Sequence, residues 1–225
     1  MKETHAKVFN ILKASQTRGM LLDVAGGDGG FALALREAGW KAVSCDRYSS
    51  PTEKTMFVHT DINISLPFRS DRFQIVTCIE SLQYLENYKQ IFSEFARVLQ
   101  KGGRLIVTIP NVLNYSSRLF FLNRGYFKYF KPFKTTKFGR EWDKIIYTPI
   151  SFVEIFQLLN RNSFDVEFLS ASRYRYRELP LFLMHKGLHR LWISLSKKHH
   201  QLYELLSSRE VLLGDHLIVA ARKVD

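Results

Sequence analysis

The stretch "LLDVAGGDGGFALAL", Leu21 to Leu35, limits what this chain can fold into more than any other feature. Four apolar residues and Asp23 run into four glycines and a second aspartate, and the run after them repeats apolar residues at helical spacing. A strand that ends in glycines and re-enters as a helix is the opening unit of a parallel sheet with crossover helices. Glycines there let the backbone approach a ligand closely, and the helix that follows offers unbonded N–H groups at its start.

The next residues repeat the alternation. Strands are expected at 20–25, 41–45, 56–60, 73–79 and 104–110, with a helix from about Gly30 to Ala38. In "ENYKQIFSEFARVLQ", Tyr88, Ile91, Phe92, Phe95, Val98 and Leu99 share one helical face, and Lys101-Gly102-Gly103 reads as the stop signal of that helix. A basic, aromatic-rich stretch without clear period follows. Regular structure resumes near Thr148 with "TPISFVEIFQLLN", which has a capping residue, an early proline and apolar residues at Phe152, Ile155, Phe156 and Leu159. "FDVEFLS" and "GDHLIVAARK" (214–223) are the closing strands. A length of 225 residues suits a single domain, 1–225, with inserted basic segments at 111–147 and 171–213.

Two ligands fit the glycine turn. Gly27-Asp28-Gly29-Gly30-Phe31-Ala32 satisfies G-x-G-x-x-G/A, which would seat a dinucleotide pyrophosphate. The alternative rests on a family resemblance. Asp23-Val24-Ala25-Gly26-Gly27-Asp28-Gly29 resembles the D-x-G-x-G-x-G motif of the class I SAM-dependent methyltransferases, in particular the methyltransferase type 11 group, with Ala25 in place of the first glycine. The added methyl disfavours a positive φ at that position. "TDINISLPFRSDRFQIVTCIESLQYL" resembles the family's D-x-x-x-LPF-x-x-x-x-F-D-x-V block, and "ARVLQKGGRLIVTIPN" resembles R-V-L-K-P-G-G-x-L-x-x-x-x-P-N. These blocks span residues 20–111 in the family's order.

The resemblance implies a Rossmann-like α/β fold: a seven-stranded, mostly parallel sheet with an antiparallel last strand and helices on both faces. It implies S-adenosyl-L-methionine as cofactor. Carried over position by position, it assigns the loop to Asp23, Ala25, Gly26, Gly27 and Gly29, and the ribose hydroxyls to Asp46. Arg47 would lie along the adenine, Asp61 would face its amino group, and Ile62 would donate its backbone N–H to the ring. Cys78, Ile79 and Glu80 would offer carbonyls to the methionine ammonium. Asp23, inside a strand, serves either the loop backbone or the cofactor.

A short-chain dehydrogenase would carry Lys four residues after Tyr, and none of the ten tyrosines has it. The histidines show no metal-ligand spacing, so no metal site is expected, and Cys45 and Cys78 are too few for a disulfide framework. The cysteine usage fits a reducing cytoplasm, and the first nineteen residues lack the apolar run of an export signal.

The acceptor must be read from segments the cofactor does not need. Methyl transfer requires no universal base, and the sequence names none. Cys78-Ile79-Glu80-Ser81 lacks the Asn/Asp-Pro-Pro-aromatic motif of adenine N-methyltransferases. The net charge of +12 sits in two windows. Residues 111–140 hold seven Lys/Arg and no Asp/Glu, and residues 171–202 hold seven against Glu178. From Leu181, the residues Met184, Leu188, Leu191, Trp192 and Leu195 form one helical face, and His185, Lys186, His189, Arg190 and Lys197 form another. That arrangement suits an anionic bilayer surface as well as ordinary core packing. The reading is a methyltransferase acting through oxygen on a small-molecule, glycan or lipid-linked acceptor, cytoplasmic or peripheral at a membrane. Its alternatives are an RNA methyltransferase and a non-catalytic SAM-binding or membrane-surface module.

Overall fold

Alternation of side chains along β1 (Met20–Val24) decides the layering. Leu21 points into one buried cluster and Leu22 into the other, so a sheet made of such strands must be covered on both faces. The computed structural model describes residues 3–14, 18–47, 55–130, 148–196 and 201–224, with the backbone alone for 188–196. Its sheet adds β2 (Lys41–Asp46), β3 (Phe57–His59), β4 (Phe73–Cys78), β5 (Leu99–Pro110), β6 (Phe164–Ala171) and β7 (His216–Lys223). The strand order is β3-β2-β1-β4-β5-β7-β6. Pairs β1·β2, β1·β4, β2·β3 and β4·β5 are parallel, and β7 runs antiparallel between β5 and β6.

One face carries α1 (Glu3–Lys13) and α2 (Gly30–Glu37), whose Val8, Leu12, Phe31, Ala32 and Leu35 pack on Leu21, Ala42, Ile75, Ile106 and Ile218. The other face carries α3 (Tyr88–Val98) and α5 (Phe152–Arg161). There Ile91, Phe92, Phe95, Ile155, Phe156 and Leu159 bury against Leu22, Val76, Leu105, Val107 and Val219. The amphipathic α1 was not read in the sequence, and it closes the face that α2 alone would leave half covered.

Three boundaries differ from the sequence reading. The α3 helix ends at Val98, because Leu99 is already extended (φ −76°, ψ 137°) and pairs with Phe73. Gly102 and Gly103 therefore lie within β5, where Gly102 takes φ +72° beside the register shift between Phe73 and Ile75. The cap of α5 is Ser151, in a reciprocal capping box with Glu154, and Pro149 lies outside the helix. In the segment read as aperiodic, α4 (Tyr115–Arg124) forms between the Asn114 side-chain cap and Gly125 in the left-handed region.

Arg97 explains why two distant motif blocks occur together. Its guanidinium donates to the carbonyls of Leu66 and Phe68 and pairs with Glu94, while Glu94 accepts the N–H of Leu66. The Leu66-Pro67-Phe68 turn is thus fastened to α3. Asn111 does the same at the end of β5, donating to the carbonyls of Val211 and Gly214.

The remaining described elements are α6 (Leu179–Ser196), α7 (Gln201–Leu206) and α8 (Arg209–Leu213), all inserted between β6 and β7. Of the two basic segments, residues 131–147 and 197–200 and the side chains of 188–196 lie outside the described residues.

Phe95 is fully buried at the centre of the α3 face. Truncation to Ala should cost about 3–5 kcal/mol in urea unfolding without changing the circular dichroism of the folded protein.

Candidate active site

At the carboxyl ends of β1, β2 and β4 the strands give way to three loops, and the space between them is a crevice in two lobes. The first lobe, about 340 Å³, is lined by Ala25, Asp46, Arg47, Asp61, Ile62, Asn63, Ser81, Tyr84, Leu85 and Glu86. The second, about 630 Å³, is lined by Ala25, Gly26, Gly27, Asp28, Gly30, Ile79, Glu80 and Ser81, with His5, Phe31 and Ala34 at its helical wall. Ala25 and Ser81 border both lobes. The Ser81 hydroxyl donates to the Ala25 carbonyl, joining the loop after β4 to the loop after β1.

The glycine loop is held entirely by the protein. Gly26 donates its N–H to the Cys45 carbonyl, and Gly27 donates to the Asp46 carboxylate at 3.0 Å. Gly29 donates to the Gly26 carbonyl, and Gly30 donates to the Asp28 carboxylate. A Cβ on Gly26 would stand 2.2 Å from Ser44 Oγ and 2.4 Å from Asp23 Oδ2, so packing alone requires glycine there.

Ala25 corrects the sequence expectation: it adopts φ +56°, in the left-handed region. That conformation costs an alanine roughly 1–2 kcal/mol, and the Ser81 hydroxyl bond to its carbonyl holds it in place. Glu80 is also left-handed, at φ +54°. Its N–H donates to Thr108 Oγ1 and its carbonyl accepts from the Gln83 side chain, so both sides of the strained peptide are fixed.

Electrostatically the crevice is acidic although the chain is basic. Asp28 and Glu80 line one lobe, and Asp46, Asp61 and Glu86 line the other. Arg47 is the lysine-or-arginine cation among the described lining residues, and it pairs with Asp61 at 2.6 Å. The other Asp61 oxygen accepts the Asn63 N–H.

Asp23 lies beneath the loop, 2% exposed, with Oδ1 accepting the Thr77 hydroxyl at 2.8 Å. Burial pushes its pKa from 3.8 up to about 7, opposed by the Thr77 bond and reinforced by the Asp46 charge. Burial likewise pushes the Cys45 thiol up to about 12 and raises the Cys78 thiol, aided by the Asp23 charge. Neither thiol is poised as a nucleophile.

Of the residues singled out in the sequence, Ala25, Gly26, Gly27, Asp46, Arg47, Asp61, Ile62 and Ile79 converge on the crevice. Asp23, Gly29 and Cys78 do not line it: Asp23 and Cys78 are buried, and Gly29 caps α2 at φ +77°. His5, Asn63, Ser81, Tyr84, Leu85 and Glu86 were missed. Their only signal was position, on α1 or just past a strand end. Among the described residues no group of His, Cys, Asp and Glu could hold a metal ion.

Beyond Glu80 the carboxyl edge continues to β7. Thr4 donates to Glu80 Oε1 at 2.6 Å, and His216 Nε2 lies 3.9 Å from the same oxygen. His216 pairs in register with Pro110 and tilts against the Tyr129 ring, 5.7 Å between centroids.

The strand order with its inserted antiparallel β7 is the Rossmann-like architecture of class I methyltransferases. Residues 3–143 match the methyltransferase domain family, and the chain belongs to it. An uncharacterized protein of Methanocaldococcus jannaschii is 33% identical over 86 residues, which cover 38% of this chain and 36% of that one. The chain thus spans about a third of that relative's length. A SAM-dependent methyltransferase of Archaeoglobus fulgidus shares the fold, with a TM-score of 0.61, 14% identity and coverage of 97% and 92% of the two chains. Another from Methanosarcina mazei gives 0.60 at 17% identity, covering 96% and 97%. The cofactor of this class is S-adenosylmethionine.

Asp23→Asn tests the buried carboxyl. Below pH 4 both folded and unfolded chains hold the Asp23 proton. As pH rises toward 7 the unfolded chain loses it first, so folding must either keep the proton or bury a charge. The neutral variant should therefore gain stability over the parent progressively from about pH 4 to pH 7, by on the order of 4 kcal/mol, and hold that gain above. Urea unfolding across the range measures it.

Proposed function

We propose that this chain transfers the methyl group of S-adenosylmethionine to an oxygen atom of a small-molecule, glycan or lipid-linked acceptor. The observation that carries the cofactor choice is the crevice's charge together with its spent amides. A dinucleotide pyrophosphate needs unbonded loop N–H groups and positive charge. Here the N–H groups of Gly26, Gly27, Gly29 and Gly30 are all taken, two of them by carboxylates. Five carboxylates would repel phosphate and attract a ligand bearing a sulfonium and an ammonium.

Asp46 and the Arg47–Asp61 pair would hold the nucleoside in the first lobe, and Ala25 to Asp28, with Ile79 and Glu80, would hold the amino acid in the second. The cofactor supplies a methyl on positively charged sulfur, displaced in line with the thioether as leaving group. The carbon–sulfur bond breaks with its electron pair on sulfur, a carbon–oxygen bond forms, and the acceptor hydroxyl releases one proton. A hydroxyl, unlike a free amine, needs that proton taken. The Glu80–His216 pair, which stands at the edge of the second lobe through Glu80, supports the oxygen reading, with His216 as the proton's receiver and Glu80 steadying the imidazolium.

Two measurements test this. In thermal shift against SAM, S-adenosylhomocysteine, NAD, NADP and ATP, the first two should each stabilise the chain by roughly 2.7 kcal/mol at a hundred times their Kd. Asp46→Ala should lose most of that shift, since it removes both the sugar's partner and the Gly27 bond. Better protection by NAD would overturn the assignment.

With methyl-labelled SAM and a cell extract as acceptor pool, His216→Ala should slow transfer about 100-fold while leaving S-adenosylhomocysteine binding intact. Unchanged turnover would remove His216 from the reaction.

A further inference from the structure

We infer that the surface built by α4 and the start of α6 docks the protein on an anionic phospholipid bilayer. This deepens the lipid-linked acceptor reading and rests on it only for its purpose, because the docking can be measured without cofactor or acceptor.

The two helices leave the sheet at its carboxyl edge, α4 after β5 and α6 after β6, the same edge that holds the crevice. They meet at Tyr115. Its hydroxyl donates to the Leu181 carbonyl, and its ring stands edge-on to His185, 6.2 Å between centroids. The arrangement is anchored below by Arg175, which donates to the Asp215 carboxylate at 2.7 Å and to the Tyr129 hydroxyl at 3.0 Å. Tyr129 in turn donates to Asp215. One ionic cluster thus ties the turn after α4, the approach to α6 and the start of β7 together.

Apolar side chains stand out from this platform. Leu119 and Leu122 share the α4 stripe of Tyr115, and Leu122 is 83% exposed. On α6, Leu183 and Met184 are 61% and 60% exposed. The sequence reading placed Met184 on an apolar face fit for either a core or a bilayer, and the structure leaves it in solvent. Arg118 and Arg124 are exposed on α4, and Arg177 is exposed just before α6. Lys186 lies along α6 with its Nζ 5.7 Å above the Phe182 ring. The carboxylate at the turn into α6, Glu178, is engaged by the Ser116 N–H.

Aliphatic side chains flanked by cations match the hydrocarbon and phosphate levels of an anionic leaflet. Single-stranded nucleic acid would instead want open aromatic platforms. On α4 and the turn after it the rings pair with one another: Phe121 stacks on Phe127, and Phe120 packs edge-on to Tyr126. No described helix is long and apolar enough to cross a membrane, so attachment of these helices would be at the surface.

Flotation with extruded vesicles decides the matter. The full chain should bind phosphatidylcholine vesicles containing roughly 30 mol% phosphatidylglycerol at low salt and bind pure phosphatidylcholine far more weakly. Leu122→Asp and the double variant Leu183→Asp/Met184→Asp should each lower the partition coefficient about tenfold or more. Both must keep the parent's melting temperature and its stabilisation by S-adenosylhomocysteine, which separates loss of docking from loss of the methyltransferase site. Absence of binding, or variants that bind as well as the parent, would overturn the proposal. So would an RNA oligomer that displaces the vesicles at equal charge, or a dimer in sedimentation velocity that Leu122→Asp dissolves.

Discussion

A single hydrogen bond, from the Gly27 N–H to the Asp46 carboxylate, organises the site. It fastens the loop after β1 to the tip of β2 and spends an amide that a phosphate would otherwise claim. It also leaves a carboxylate facing the first lobe. The companion bonds of Gly26 to Cys45 and Gly30 to Asp28 complete a loop that is rigid, internally satisfied and negative at its rim. A basic protein therefore carries an acidic crevice.

Strain is concentrated beside that loop. Ala25 and Glu80 are both left-handed, and both border the crevice. Each is over-determined by neighbours, Ala25 through Ser81 and Glu80 through Thr108 and Gln83. Such positions persist only where surrounding packing compensates. Here the packing comes from the buried faces of β4 and β5 and from α1, whose Thr4 reaches the Glu80 carboxylate.

Much of the core was legible because its signals are local. Continuous apolar runs such as "RLIVTIP", buried on both faces of the sheet, and the 3.6-period of α3 follow from which sides of an element are covered. The misread boundaries are places where two local signals competed. Gly102-Gly103 looks like a helix stop, yet Leu99 pairs with Phe73 before the helix can reach it. Asn114 and Gly125 frame α4 as cap and stop, but the cations and aromatics between them hide the period. The crevice residues past the strand ends, such as Ser81 and Asn63, carry no pattern, because a loop side chain is selected by what lies across from it.

The sequence by itself determined the seven strands, the helices α2, α3 and α5, the glycine turn and the acidic tip of β2, since each depends on neighbours within a few residues. Only the tertiary structure decided that Asp23 is buried under the loop, that Ala25 is left-handed, and that Glu80 meets His216 from 136 residues away. It also decided that α4 and α6 meet at Tyr115 and that both expose leucines. These outcomes depend on which elements pack against each other, and that follows from closing a seven-stranded sheet whose last strand inserts between two earlier ones.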